Sequence, residues 1–184
     1  MSRVPDLDKE KLTAAQKRIY DDIASVRRGN VKGPFAIWLR VPEIADKANQ
    51  FGNVIRAKGN IDKRLFELMV LVVARRWSAQ YEWFAHEDQA LKAGVSAEVV
   101  EALRHQRRPE FQRDDERLVY ELTSALQESK TLGTDLYDRG VTAFGLDQMI
   151  EFVTAVGFYT MVAVMLNAFD APVPGGGRPL PDLS

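Results

Sequence analysis

The side chains best suited to chemistry are a carboxylate and an imidazole four positions apart, Glu82 and His86. On an α-helix this spacing places both side chains on one face, one turn apart. A histidine held beside a carboxylate has its tautomer and its basicity set by that neighbour. The pair therefore indicates general acid and base catalysis, although His86 could also be a surface residue that is simply paired with Glu82.

A third candidate, Glu67, lies between Phe66 and Leu68 in an otherwise apolar segment. A buried carboxylate must find a partner or keep its proton. Glu67 therefore either faces solvent on a polar stripe or is a paired site residue, and we favour the second interpretation.

Two helices must position these three residues. The first spans residues 63–76 after a cap within residues 60–62, and its core positions repeat at three and four, namely Leu65, Leu68, Met69, Val72 and Val73. Ser78 can accept the hydrogen bonds that open a helix, so we expect the second helix to begin there. It should end near Ala93, because Gly94 can take the left-handed conformation that terminates a helix.

Capping and turn residues divide the rest of the chain into further helices. Thr13 and Gln16 form a capping box that opens a helix to about Arg28, and Pro42 suits the first position of a helix that ends near Ala57. The remaining predicted segments are a short helical turn from Pro34 and helices over residues 96–105, 114–133, 134–144 and 146–168. Because no strand pattern alternates with them, we predict an all-α bundle of seven to eight helices in a single domain.

The last predicted helix contains an uncharged run, residues 152–169, that is close to the length needed to cross a bilayer. Acidic Glu151 and Asp170 flank the run and no Lys or Arg anchors either end. We therefore favour the central, fully buried helix of a bundle over a membrane span. Such a surplus of apolar surface is also what a subunit interface needs, so we expect a homo-oligomer and no membrane association.

The composition limits the classes of partner. Of the 184 residues, 46% are hydrophobic and 28% are charged, which is typical of a globular chain with room for a core. The formal net charge of -1 gives no long-range attraction to nucleic acid. The chain has no cysteine and its first residues lack an apolar signal segment. We expect a cytoplasmic protein that acts on a small molecule and does not bind nucleic acid.

A metal site and a bound cofactor are not predicted. Glu82 and His86 could supply two metal ligands, but the only other histidine, His105, has no matching partner, and a helical di-metal site needs two such pairs. The sequence contains no glycine-rich phosphate loop and no nucleophile elbow. The glycine run at residues 175–177 follows the last helix and indicates an extended tail.

The same stretch of sequence resembles the carboxymuconolactone decarboxylase and alkylhydroperoxidase-D family. The matching positions are Glu67, Ala79, Glu82 and His86, joined by Tyr81 and Trp83 of the decarboxylase-like form. The peroxidase branch places cysteine at the two middle positions, where this chain has Ala79 and Glu82. The resemblance therefore points to the decarboxylase-like branch, which lacks the thiol.

The resemblance also implies an organisation for the chain. It covers roughly Gly33 to Pro174 and implies the alkylhydroperoxidase-D-like helical fold and an oligomer. We therefore divide the chain into a helical N-terminal extension, the family domain and a Pro- and Gly-rich extended tail, at residues 1–32, 33–171 and 172–184.

The function that the resemblance implies is a cofactor-free lyase. Such an enzyme would decarboxylate or isomerise a small carboxylated lactone or a related intermediate of aromatic-compound catabolism. His86 would be the general acid and base, Glu82 would orient it or exchange protons with it, and Glu67 would hold that pair. The alternatives are a non-catalytic helical oligomer that binds a small hydrophobic or carboxylated ligand, and a stress-related relative without thiol peroxidase activity.

Candidate substrate contacts come from aromatic and cationic residues near these positions. Arg75 and Arg76 end a helix, where cations usually complement the helix dipole, but one of them could hold a substrate carboxylate, and Arg75 is our candidate. The aromatic candidates could also be core residues. The full set of predicted substrate contacts is Phe35, Trp38, Arg75, Tyr81, Trp83 and Tyr159.

Overall fold

A computed structural model describes residues 3–5, 7–26, 29 and 31–182. Within these residues the regular structure is helical and there is no β-strand, so the predicted all-α class is confirmed. The α-helices, in chain order, are α1 Ala14–Val26, α2 Pro34–Trp38, α3 Pro42–Asn53, α4 Lys63–Arg76, α5 Gln80–Ala93, α6 Ala97–Arg104, α7 Asp114–Glu128, α8 Thr134–Phe144 and α9 Leu146–Ala168. Counted over the described residues, these nine exceed the predicted seven to eight because the turn at Pro34 forms a short helix of its own.

Local capping signals place most helix ends. Gln16 and Thr13 exchange the two hydrogen bonds of a capping box before α1, at 3.0 and 3.2 Å. The carboxylate of Asp62 accepts from the first turn of α4, and Gly94 ends α5 in the left-handed conformation. The predicted end of the first helix at Arg28 lies outside the described residues.

The predicted start of the second site helix at Ser78 is wrong. Ser78 has a positive φ of 47° and lies in the turn after α4, while α5 begins at Gln80 with Ala79 in the capping position and no side-chain cap. The Ser78 hydroxyl accepts from Arg75 instead, at 3.3 Å. A contact with the last turn of α4 has replaced the expected cap of α5.

Contacts within the chain group it into two compact units, which we describe separately. The first unit comprises Met1–Lys58 and Met165–Pro172. In it α3 packs against α1 and α2 and continues into a π-helical turn, Val54–Lys58. Ile19 and Ile23 of α1 are fully buried, so this face of α1 supplies part of the unit's core.

The second unit comprises Gly59–Val164 and Val173–Ser184. Its central element is α4, which packs against α5, α6 and α7 and is buried at every position from Leu65 to Arg75. The short connection between α4 and α5 makes these two helices neighbours over their whole length. The α4–α5 pair therefore carries the three candidate site residues predicted from the sequence, Glu67, Glu82 and His86.

The prediction that the last helix is fully buried is wrong. Only half of its most apolar stretch is buried, and Ile150, Val153, Met161 and Val164 are each at least 40% exposed. Among the described residues, α9 has the length and the mean hydropathy, 1.9, of a membrane-spanning helix. A core helix of a globular protein has the same two properties, so neither decides between these settings.

Candidate active site

The centre of the site is a hydrogen bond between the two helices of the α4–α5 pair. Nδ1 of His86 on α5 lies 2.7 Å from Oε2 of Glu67 on α4. Glu67 is 2% exposed and His86 is 5% exposed, so the bond is shielded from water. The carboxyl group of Glu67 therefore fixes the orientation of the imidazole ring.

An aromatic residue from α9 borders the imidazole. The ring of Tyr159 packs edge-to-face against His86, with 5.2 Å between centroids and an interplanar angle of 90°. Tyr159 also packs against Phe66, which precedes Glu67 on α4. These contacts fix the plane of the imidazole and surround it with apolar surface.

Glu82 lies one helical turn before His86 and is buried even more completely, at 1% exposure. Neither of its carboxyl oxygens has a hydrogen-bond partner among the residues that the structure describes. Burial therefore raises the pKa of Glu82 well above its ordinary value. This shift favours the protonated carboxylic acid, which can donate one hydrogen bond.

The structure corrects the expected relation between the two acids and the histidine. The sequence predicts that Glu82 orients His86 or exchanges protons with it, and that Glu67 holds this pair. Within the described residues, however, the carboxyl oxygens of Glu82 have no hydrogen-bond partner, and Glu67 alone of the two acids contacts the imidazole through a hydrogen bond. Residues four apart on one helix have parallel side chains, whereas a residue on the facing helix points across the interface at the ring. The orienting carboxylate is therefore Glu67.

In a comparison with known protein families, residues 42–112 match the carboxymuconolactone decarboxylase family. The matched segment runs from the start of α3 to beyond α6 and includes Glu67, Glu82 and His86. Over this segment the chain is similar to the carboxymuconolactone decarboxylase family. No curated protein and no solved structure matches the chain.

The similarity does not decide which reaction, if any, the site supports. The carboxymuconolactone decarboxylase family also includes members that are not decarboxylases. In this chain both cysteine positions of the peroxidase pattern are occupied by other residues, Ala79 and Glu82. A chain without cysteine cannot use thiol chemistry of its own, so the chemical groups at these positions are the acids and the imidazole.

Two of the predicted aromatic contacts lie on α5 of the family segment. Trp83 is fully buried, donates from Nε1 to Glu87 at 3.0 Å and stacks under the guanidinium of Arg104, 5.3 Å from the ring centre. This ring is held by packing from α5 and α6. Tyr81 is half-buried in the first turn of α5. Their roles as substrate contacts stay predictions.

Two more of the five predicted aromatic contacts, Phe35 and Trp38, belong to the first compact unit, and the fifth is Tyr159. Phe35 and Trp38 are buried there and pack edge-to-face on each other, with 5.4 Å between their centroids. This contact is typical of core packing. Their role at the site also stays a prediction.

Residues that hold the site together were partly missed by sequence reasoning. The direct bond from Glu67 to His86 had a signal, because each residue lies about two turns from the connection between α4 and α5. The contact of Gln80 with the backbone of Leu180 at 2.9 Å had none, because a hundred residues separate the two. In the part of the chain that is described, no group of three or more histidines and acids could hold a metal ion.

Proposed function

We propose that this chain is a cofactor-free lyase that decarboxylates or isomerises a small carboxylated lactone or a related intermediate of aromatic-compound catabolism. The observation that supports this most strongly is the buried hydrogen bond, 2.7 Å long, between His86 and Glu67. A histidine held by a buried carboxylate is a positioned proton-transfer group. Similarity to the carboxymuconolactone decarboxylase family over residues 42–112 is compatible with this reaction class.

The proposed reaction requires two services from the protein. When a carboxylated unsaturated lactone loses carbon dioxide, the carbon–carbon bond breaks and its electron pair moves into the conjugated carbonyl. The product of this step is a dienolate with negative charge on oxygen. The protein must stabilise that oxyanion and then deliver one proton to carbon.

In the proposed mechanism, Glu82 stabilises the oxyanion and His86 supplies the proton. Glu82, kept protonated by burial, donates a hydrogen bond to the developing oxyanion. His86 delivers the proton to carbon, while Glu67 holds Nδ1 and keeps the ring in a fixed orientation for the transfer. A positioned acid of this kind contributes about 10²- to 10⁴-fold in rate.

The test of the proposed function is a search for the substrate. Carboxylated lactones, β-keto acids and aromatic acids would be screened for a rise in melting temperature, because a ligand that binds only the folded state stabilises it. Each hit would then be incubated with the protein and assayed for carbon dioxide and for isomerised product. We expect at least one carboxylated compound to be both bound and converted. Conversion of none of the bound compounds would contradict the lyase.

One observation also favours a second candidate, the non-catalytic helical oligomer that binds a small carboxylated ligand. Glu82 does not hydrogen-bond to His86, so the two side chains do not form a proton-exchanging pair in this structure. A ligand-binding protein would show stabilisation by a carboxylated compound without product. The homo-oligomer and the cytoplasmic location predicted from the sequence remain parts of both proposals.

A further inference from the structure

Arg75 is a buried cation at the end of α4. Arg75 is only 4% exposed. Among the residues that the structure describes, no carboxylate lies within ion-pair distance of its guanidinium. The next residue, Arg76, is half-exposed and lies 3.9 Å from Glu128. Buried charges in proteins are normally paired with an opposite charge, so Arg75 is an exception.

The hydrogen bonds of Arg75 involve Nη1 and Nη2 and leave Nε without an acceptor among the residues that the structure describes. Nη1 donates to the Ser78 hydroxyl at 3.3 Å and Nη2 donates to the carbonyl oxygen of Pro181 at 3.4 Å. Both distances are at the long end of the hydrogen-bond range, and the buried Nε has no acceptor. Nε and Nη2 form the edge that takes a carboxylate with two parallel hydrogen bonds.

The surroundings of Arg75 add positive charge and do not neutralise it. Helix α5, with 14 residues, begins two positions after Ser78, and its capping residue Ala79 offers no side-chain acceptor to the first turn. The start of such a helix carries partial positive charge and favours an anion. Burial lowers the pKa of Arg75, as expected for a cation without a counter-ion.

Residues 178–182, which we call the C-terminal strap, cover this position. The side-chain amide of Gln80 both donates to and accepts from the backbone of Leu180, each at 2.9 Å, and Arg104 donates to the carbonyl of Pro179 at 2.5 Å. The side chain of Leu180 is buried. The strap is therefore held by a small number of hydrogen bonds and one apolar side chain, and it ends on Arg75.

We propose that Arg75 binds a carboxylate and that the C-terminal strap is displaced when it does. The incoming carboxylate replaces the Pro181 carbonyl and binds side-on to Nε and Nη2, so the buried cation gains the counter-ion that it lacks. This inference rests on the proposed function for the identity of the ligand as substrate, and it adds that the substrate enters as a carboxylate anion. Its test measures binding alone.

The test is calorimetric titration of the full chain with benzoate. We expect Arg75→Gln to weaken benzoate binding at least about tenfold, because the side-on pair is lost. Arg75→Lys keeps the positive charge but lacks the planar fork, and should weaken binding by a similar factor. Arg76→Gln is the matched control and should bind benzoate within about twofold of the parent chain.

The role of the strap is tested by Gln80→Ala, which removes two hydrogen bonds to Leu180. A strap that competes with the ligand lowers the apparent affinity, so this variant should bind benzoate about three- to tenfold more tightly than the parent. Hydrogen exchange gives a second measurement. The amide of Leu180 should exchange faster when the parent chain is saturated with benzoate.

Several outcomes would overturn the proposal. Equal affinity of the parent and both Arg75 variants for benzoate would remove Arg75 from binding, as would no binding to the parent or to Gln80→Ala at about 20 mM benzoate. Arg75-dependent binding of inorganic phosphate without benzoate would contradict the carboxylate class. An unchanged Leu180 amide would contradict displacement of the strap. Circular dichroism checks that each variant is folded, and Arg75→Lys carries the test if Arg75→Gln is not.

Benzoate binding and turnover test two different proposals, the carboxylate site at Arg75 and the lyase reaction. His86→Gln leaves Arg75 and the strap intact, so it should bind benzoate like the parent chain even where it abolishes turnover. Benzoate binding with no turnover of any carboxylated compound would support the carboxylate site and contradict the lyase.

Discussion

Two buried acids on the α4–α5 pair have different hydrogen-bonding surroundings. Glu67 is held against an imidazole at 2.7 Å, whereas the oxygens of Glu82 contact no donor in the part of the chain that is described. The sequence predicts all three site residues, but not which acid meets the histidine. Which acid contacts His86 depends on how α4 is rotated about its axis relative to α5, and residue spacing along a single helix does not predict that rotation.

The buried acid predicts how stability depends on pH. The folded-state pKa of Glu82 lies above its unfolded value, so folding is most favourable below the unfolded pKa and loses stability as pH rises through the folded pKa. Glu82→Gln removes this loss. We expect the variant to gain about 1–3 kcal/mol in free energy of unfolding at pH 8 relative to the parent, and little at pH 4.

Denaturant unfolding of both chains at several pH values measures this difference. Glu110→Gln, at an exposed position, is the control and should change stability by less than about 0.5 kcal/mol at every pH. A difference between Glu82→Gln and the parent that does not vary with pH would show that Glu82 is ionised in the folded protein.

At the scale of elements, local signals predict the helices well and their contacts poorly. The Asp62 cap and the Gly94 stop are read correctly because each depends on neighbouring residues. The predicted cap at Ser78 is wrong because its hydroxyl accepts from Arg75 and does not cap α5. The start of α4 also has contacts that local signals do not predict, because Arg64 pairs with Asp115 of α7 at 2.8 Å and with the buried Glu116 at 2.5 Å.

Loss of this α4–α7 connection should destabilise the fold. Burial opposes the ionisation of Asp115, but hydrogen bonds from Arg113 and Arg64 outweigh it and lower the pKa of Asp115 to about 2. Arg64→Met would also leave Glu116 buried without its partner. We expect a loss of about 3 kcal/mol in free energy of unfolding at pH 7.

Arg113→Met is the control for this prediction, because Arg113 is 60% exposed and shares only the outer acid, Asp115. It should cost less than about 1 kcal/mol. Similar losses in both variants, measured by denaturant unfolding, would contradict a special role for the buried pair.

At the scale of the whole molecule, the all-α class follows from the sequence, but the central helix does not. The most apolar stretch of α9 is half-exposed, while α4, with both Glu67 and Arg75, is buried throughout its central stretch. Composition favours the more apolar helix as the core. Polar partners from α5 and from the segment after α9 make burial of the charged side chains of α4 possible.

The exposed face of α9 supports the predicted homo-oligomer. Ile150, Val153 and Met161 share this face and are 58%, 40% and 42% exposed in the single chain. Apolar side chains along one helix face are typical of a subunit interface. We expect light scattering to give a mass above that of one chain for the parent, and Val153→Glu to reduce it. A monomeric parent chain would contradict the prediction.

The most direct measurement of the central claim compares the two histidines. Once a carboxylated substrate is found, kcat/KM would be measured for His86→Gln and for His105→Gln. His105 is half-exposed and, among the residues that the structure describes, pairs with Glu101 four positions earlier, so its variant should keep the parent rate within about twofold. The proposed role of His86 predicts a loss of about 10²-fold or more for its variant, with helical content unchanged. Turnover by His86→Gln within a few fold of the parent would contradict a proton transfer by the imidazole that Glu67 holds.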